Sequence, residues 1–80
     1  MWHGRRVIVA GGTAGFGLVL TRHLAAAGAC PVVVGRSGEG VRRALETCER
    51  GPGGERVRGM TADLARPGEG GRVVGEALRI

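Results

Sequence analysis

The run Arg6-Val7-Ile8-Val9-Ala10-Gly11-Gly12-Thr13-Ala14-Gly15-Phe16-Gly17 decides the fold of this chain. Residues 6–10 are β-branched at their centre and show no alternation, which is how a strand covered on both faces of a parallel sheet reads. Glycines follow at once, spaced G-x-x-x-G-x-G at Gly11, Gly15 and Gly17. Beyond them Phe16, Leu20, Leu24 and Ala27 recur at helical spacing with Val19 on their flank, which predicts a helix packed through that stripe. Gly28 is placed to end it in a left-handed cap. Such a turn suits a phosphate group: Gly11 takes the turn out of the strand, Gly15 has no side chain to hold a pyrophosphate away, and Gly17 lets the helix pack closely. The N–H groups of the helix's first turn then face the anion. The same glycines also fit a turn that holds no ligand.

Outward from this run the pattern repeats. Pro31 opens Val32-Val33-Val34, a second buried strand, where proline is tolerated because it comes first. A second helix is predicted over about residues 39–50, with Val41, Ala44, Leu45 and Cys48 as its apolar stripe. Glu39 with Arg43, and Glu46 with Arg50, are acid-before-base pairs four residues apart on its outer face. Gly51-Pro52-Gly53-Gly54 breaks the chain. Arg56 to Thr61 reads as a third strand, weakened by Gly59, and closes at Ala62-Asp63-Leu64. After Arg66-Pro67-Gly68 a final helix runs from Glu69 to Ile80, with Val73, Val74, Ala77 and Leu78 inward and Arg72, Glu76 and Arg79 outward. Strand and helix alternating three times with short connections predict an α/β unit on a parallel sheet.

Composition narrows the function. At 80 residues the chain is expected to be one small domain or a piece of a larger one, residues 1–80, with no second core. Net charge is +5, and every one of the 12 basic residues is arginine. The arginines are scattered or set beside glutamates, with no block of five like charges, which speaks against nucleic acid and against a membrane surface. With one Trp and one Phe, the chain also has too few aromatic residues for the stacking on which single-stranded nucleic-acid binding relies. A phosphate-bearing small molecule is the expected anionic partner. Cys30 and Cys48 stand far apart with no metal-binding companions, so each is expected to be a small apolar residue. Arg5-Arg6 before an apolar stretch resembles a twin-arginine export signal, but Gly11, Gly12, Gly15 and Gly17 would weaken a signal helix. No apolar run approaches the ~20 residues of a membrane span, and a cytoplasmic location is expected.

Ala10-Gly11-Gly12-Thr13-Ala14-Gly15-Phe16-Gly17 resembles the T-G-x-x-x-G-x-G motif of the short-chain dehydrogenase/reductase family, with Ala10 where that family usually has Thr. Val32-Val33-Val34 and Ala62-Asp63-Leu64 match further segments in order. The resemblance implies a Rossmann-type doubly wound parallel sheet, cut to βαβαβα with strand order 3-2-1, and a nicotinamide dinucleotide as cofactor. It places Gly11, Thr13, Ala14, Gly15, Phe16 and Gly17 around the pyrophosphate. At the end of the second strand it sets Gly35 where NAD-preferring relatives carry an acid, with Arg36 and Ser37 next. That arrangement implies NADP rather than NAD, since a guanidinium fork suits a 2′-phosphate. Taken as a residue alone, Arg36 is also an ordinary solvent arginine. Ala14 departs from the pattern, because many NADP-using relatives carry a basic residue there. Asp63 corresponds to an adenine-contacting residue, with Leu64 packed nearby; on residue type alone Asp63 equally caps backbone N–H groups of its own loop.

The family's catalytic Ser, Tyr and Lys have no counterpart here, and the chain contains neither Tyr nor Lys. The expectation is therefore the cofactor-binding N-terminal part of a reductase, inactive alone. The alternative is a non-catalytic module that binds a nucleotide phosphate or docks on a partner protein. Strand order 3-2-1 leaves the first strand as an open edge, where self-association is expected.

Overall fold

The computed structural model describes residues 3–80. Three strands, β1 (Arg6–Ala10), β2 (Cys30–Gly35) and β3 (Arg58–Thr61), form one parallel sheet in the order β1-β2-β3. Between them run α1 (Gly15–Ala26) and α2 (Gly38–Glu49), and α3 (Glu69–Ala77) follows β3. The order of elements and the strand order are those predicted. None of the described helices is long and apolar enough to cross a membrane.

The register sets Val9 beside Val33 and Ile8 beside Val32. Period-two alternation then sends Val9 and Val33 to one face and Val32 and Val34 to the other. Val33 packs with Ala25 of α1 and Ala44 and Cys48 of α2, while Val34 packs with Ala62 and with Val73 of α3. Thus α1 and α2 cover one face and α3 covers the other. Only β2 is buried along both faces, as Pro31 to Val34 have no significant exposure. In β1 only Val9 is buried and Ile8 is 38% exposed, contrary to the expectation of a strand covered on both sides. Among the described residues β1 pairs with β2 alone, and this edge position explains its exposure.

The α2 stripe is as predicted: Val41, Ala44 and Cys48 are buried and Leu45 packs against them. The α1 stripe is not. Of its predicted residues Leu24 is buried, but Phe16, Val19, Leu20 and Ala27 face outward, Phe16 with 80% exposure, and Thr21 and Ala25 join Leu24 in the interior. Close approach sets this rotation of the helix. A β-carbon on Gly17 would lie 2.5 Å from the Gly11 carbonyl oxygen, and one turn later the buried Thr21 hydroxyl donates to the Gly17 carbonyl at 2.8 Å. Gly17 marks the contact line, so hydrophobicity alone points away from it. Gly28, at φ +97°, ends α1 as predicted, its N–H bonding Ala25 and the next N–H bonding Leu24.

Other departures are local. Residues 54–56, in part read as strand, form a 3-10 turn that puts Arg56 beneath α1. The Arg56 guanidinium donates to the carbonyls of Ala25 at 2.6 Å and Ala29 at 3.3 Å, satisfying acceptors at the helix's negative end. The last helix stops at Ala77, with Val73 and Ala77 buried but Val74 and Leu78 exposed. On α2 the two glutamates of the predicted pairs turn to Arg42: Glu46 pairs with it across one turn and Glu39 lies 3.9 Å from it. The predicted pairs with Arg43 and Arg50 are absent among the described residues.

Candidate functional site

The carboxyl ends of all three strands open on one side of the sheet. There the loop after β1, the end of β2 and the loop after β3 enclose a groove of about 410 Å³ lined by Gly11, Thr13, Gly35, Arg36, Asp63 and Leu64, among others. Five of the candidate cofactor-binding residues, Gly11, Thr13, Arg36, Asp63 and Leu64, thus share one groove. Ligands in open parallel sheets bind at this end of the strands.

The loop after β1 is tied to its neighbour, because the Gly11 N–H donates to the Val34 carbonyl at 2.9 Å. Gly11 at φ +72° and Gly15 at φ +58° both adopt the left-handed conformation, with nothing within 4 Å of where a β-carbon would stand. The backbone there is open to a ligand. At the start of α1, Ala14 offers no side-chain cap and no acid sits in the first turn. The N–H groups of Gly15, Phe16 and Gly17 thereby lack a side-chain acceptor at the positive end of the helix. The contrast with α2 is direct, since there the Ser37 hydroxyl accepts from the Gly40 N–H at 3.2 Å. Ser37 serves as that cap and does not line the groove, although its O–H remains a donor. Ala14 lines an adjacent depression of about 320 Å³ with Thr13, Gly40 and Arg43.

Arg36 is exposed at the end of β2, with no ion pair or side-chain hydrogen bond to the described residues. Asp63 uses one carboxylate oxygen locally, accepting from the Ala65 N–H at 3.1 Å, which is the turn-capping geometry. Its backbone N–H donates to Glu69 at 3.4 Å. Glu69 is in turn held by Arg72 at 2.7 and 3.0 Å, and Arg72 also donates to the Thr61 carbonyl at 2.9 Å. The hydrogen bonds from Arg72 hold the Glu69 carboxyl below the usual carboxylate range, against some desolvation. This network fixes the loop bearing Asp63 and Leu64 to α3. The sequence assigns Arg72 to the outer face of the last helix and Glu69 only to its start, and only the folded loop brings the two to β3.

Cys48 and Cys30 are free thiols, the first buried and the second half-buried. Burial pushes the Cys48 thiol up, with Arg22 opposing it. No group of three metal-ligating side chains occurs among the described residues.

A glycine loop joining the first strand of a parallel sheet to an uncapped helix, with a groove at the strand ends, defines the dinucleotide-binding class of α/β folds. Residues 5–79 match the short chain dehydrogenase family model, and the chain belongs to that family. No curated protein matches it. Solved structures do. A short-chain type dehydrogenase/reductase from Mycobacterium ulcerans is 28% identical over 98% of this chain, with a TM-score of 0.87. A variant of actinorhodin polyketide ketoreductase, solved with NADPH, is 28% identical over 95% with a TM-score of 0.86. A short chain dehydrogenase/reductase family protein is 32% identical over 95% with a TM-score of 0.81. The matched region covers 29%, 28% and 30% of those chains, respectively.

Proposed function

We propose that the groove at the strand ends binds the adenosine and pyrophosphate portion of a nicotinamide dinucleotide, with NADP preferred over NAD. The open backbone at Gly11 and Gly15 beside the uncapped start of α1 carries this reading. The N–H groups of Gly15, Phe16 and Gly17 hold the pyrophosphate, with Thr13 and Ala14 flanking it. Arg36 meets the 2′-phosphate as a bidentate donor, and the Ser37 O–H adds a further donor. No carboxylate stands at Gly35 to repel that phosphate. Asp63 and Leu64 form the adenine wall, one Asp63 oxygen staying with Ala65 and the other free to accept. The ketoreductase neighbour solved with NADPH supports the choice of cofactor class.

The cofactor, when bound, supplies hydride chemistry to a carbonyl or alcohol substrate. The part played by residues 1–80 is to bind and orient its adenosine half. Proton transfer to a carbonyl needs a positioned acid, and these residues contain no Tyr or Lys to provide the family's. The exposed β1 edge is proposed to pair with a further strand, a second copy of the chain being one that isolated protein offers. A cytoplasmic setting would keep both thiols reduced.

Calorimetric titration of the chain with NADP, NAD and 2′-phospho-ADP-ribose tests the proposal. Tighter binding of the two 2′-phosphorylated ligands is expected. Equal affinity for NAD and NADP would remove the role given to Arg36, and no binding of any of the three would refute the groove as a dinucleotide site.

A further inference from the structure

Arg43 stands out on α2 because its neighbour takes both nearby acids. Arg42 pairs with Glu46 and lies 3.9 Å from Glu39, leaving the Arg43 guanidinium with no acceptor among the described residues. On a helix surface residues three and four apart are neighbours, so either arginine had access to a glutamate. Arg43 instead borders the depression of about 320 Å³ shared with Thr13, Ala14 and Gly40. Thr13 also lines the main groove beside Arg36, so the two hollows share a wall. Ala14 and Gly40 have almost no side chain to fill the space between Arg43 and the glycine loop.

We infer that Arg43 is a second recognition residue for the 2′-phosphate of the dinucleotide, approaching it from α2 while Arg36 approaches from β2. The inference rests on the NADP reading proposed above. A phosphate monoester carries between one and two negative charges near neutral pH, with three oxygens able to accept. One guanidinium fork uses two of those oxygens, so a second, unpaired arginine in the adjoining hollow has an acceptor and a charge to meet. Thr13 is the residue common to the linings of both hollows. NAD, with a hydroxyl in place of that phosphate, offers Arg43 no charge, and this makes Arg43 a determinant of specificity rather than of dinucleotide binding in general.

The test is calorimetric titration of the full chain and its Arg43→Gln, Arg36→Gln and Arg50→Gln variants with NADP and with NAD. Arg50→Gln removes the same charge from the far end of the same helix. Arg43→Gln is expected to weaken NADP binding about tenfold, as for a lost charge-assisted hydrogen bond, and to leave NAD binding and the melting temperature unchanged. Arg50→Gln is expected to change neither affinity. An unchanged NADP-to-NAD ratio in Arg43→Gln, beside a collapsed ratio in Arg36→Gln, would overturn the inference and leave the NADP reading standing. Equal weakening of both cofactors by Arg43→Gln would also overturn it. A wild-type chain that binds NAD and NADP equally would instead bring down the NADP reading itself.

Discussion

The Thr13 methyl lies 2.6 Å from where a β-carbon on Gly35 would stand, and a Val41 methyl lies 3.2 Å from the same point. The end of β2 is thus packed against the glycine loop, and any side chain at position 35 must displace Thr13. An acidic residue at that position would have to enter space this chain has filled with a methyl group. The neighbouring Arg36 is exposed and carries no such restriction.

Gly35→Asp is therefore expected to weaken binding of NAD and NADP together, and Thr13→Gly in the same chain to recover NAD binding. Arg36→Asp, which has room, should swing the preference toward NAD without a second change. Titration of the four proteins with both dinucleotides checks this. NAD binding by Gly35→Asp that equals that of the double variant would show that Thr13 gives way freely.

Gly17→Ala should destabilise the chain by about 2 kcal/mol or more, the usual scale for overpacking a close contact. The new methyl would meet the Gly11 carbonyl oxygen at 2.5 Å and the Gly12 α-carbon at 2.9 Å, both backbone. Thermal or urea denaturation measures the loss. Gly71→Ala, in open space on α3, is the matched control and should be neutral or slightly stabilising.

Arg56→Ala should cost about 1.5 kcal/mol, the low end for hydrogen bonds to a charged group because its side chain is partly solvated. It strips the Ala25 and Ala29 carbonyls of their donor. Hydrogen exchange should show faster opening in the last turn of α1, with α3 unaffected. Uniform loss of protection across the chain would argue against a local clamp.

Acid should loosen the loop after β3. The folded Glu69 carboxyl is held below its ordinary value, chiefly by the hydrogen bond from Arg72. A depressed acid stabilises the fold at pH above its unfolded pKa, about 4.3, and that contribution is lost as pH falls through the lowered folded value. Amide exchange at Asp63, whose N–H donates to Glu69, is expected to speed up over that acidic interval. In Glu69→Gln the acid-dependent part should vanish.

The order of elements was legible because the first two strands are short apolar runs next to glycine or proline, the weaker third lies between the Gly51-Pro52-Gly53-Gly54 breaker and the Ala62-Asp63-Leu64 segment, and each helix has a stripe at helical spacing. Meeting of Gly11, Thr13, Arg36, Asp63 and Leu64 in one groove follows from parallel strands, whose carboxyl ends share one side. The rotation of α1 was not legible. Gly17 and Thr21 set it through contact with the loop backbone, and neither is hydrophobic. Arg56 was hidden because its acceptors lie 27 and 31 residues away in sequence. The freeing of Arg43 was hidden because spacing alone gives Glu39 and Glu46 an arginine at either three or four residues, and only the folded side chains choose. A signal did exist in the two small residues, Ala14 and Gly40, that keep open the depression beside Arg43.

The most direct test of the account is the amide spectrum of the isotope-labelled chain during titration with NADP. The predicted result is a set of shifts confined to Gly11, Thr13, Ala14, Gly15, Phe16 and Gly17 in the loop and first turn of α1, Arg36 and Ser37 after β2, Gly40 and Arg43 on α2, and Asp63 and Leu64 after β3. Shifts clustered instead around the cavity bounded by Arg22, Cys48 and Pro52, beside α1 and the end of α2, or no shifts at millimolar NADP, would contradict it.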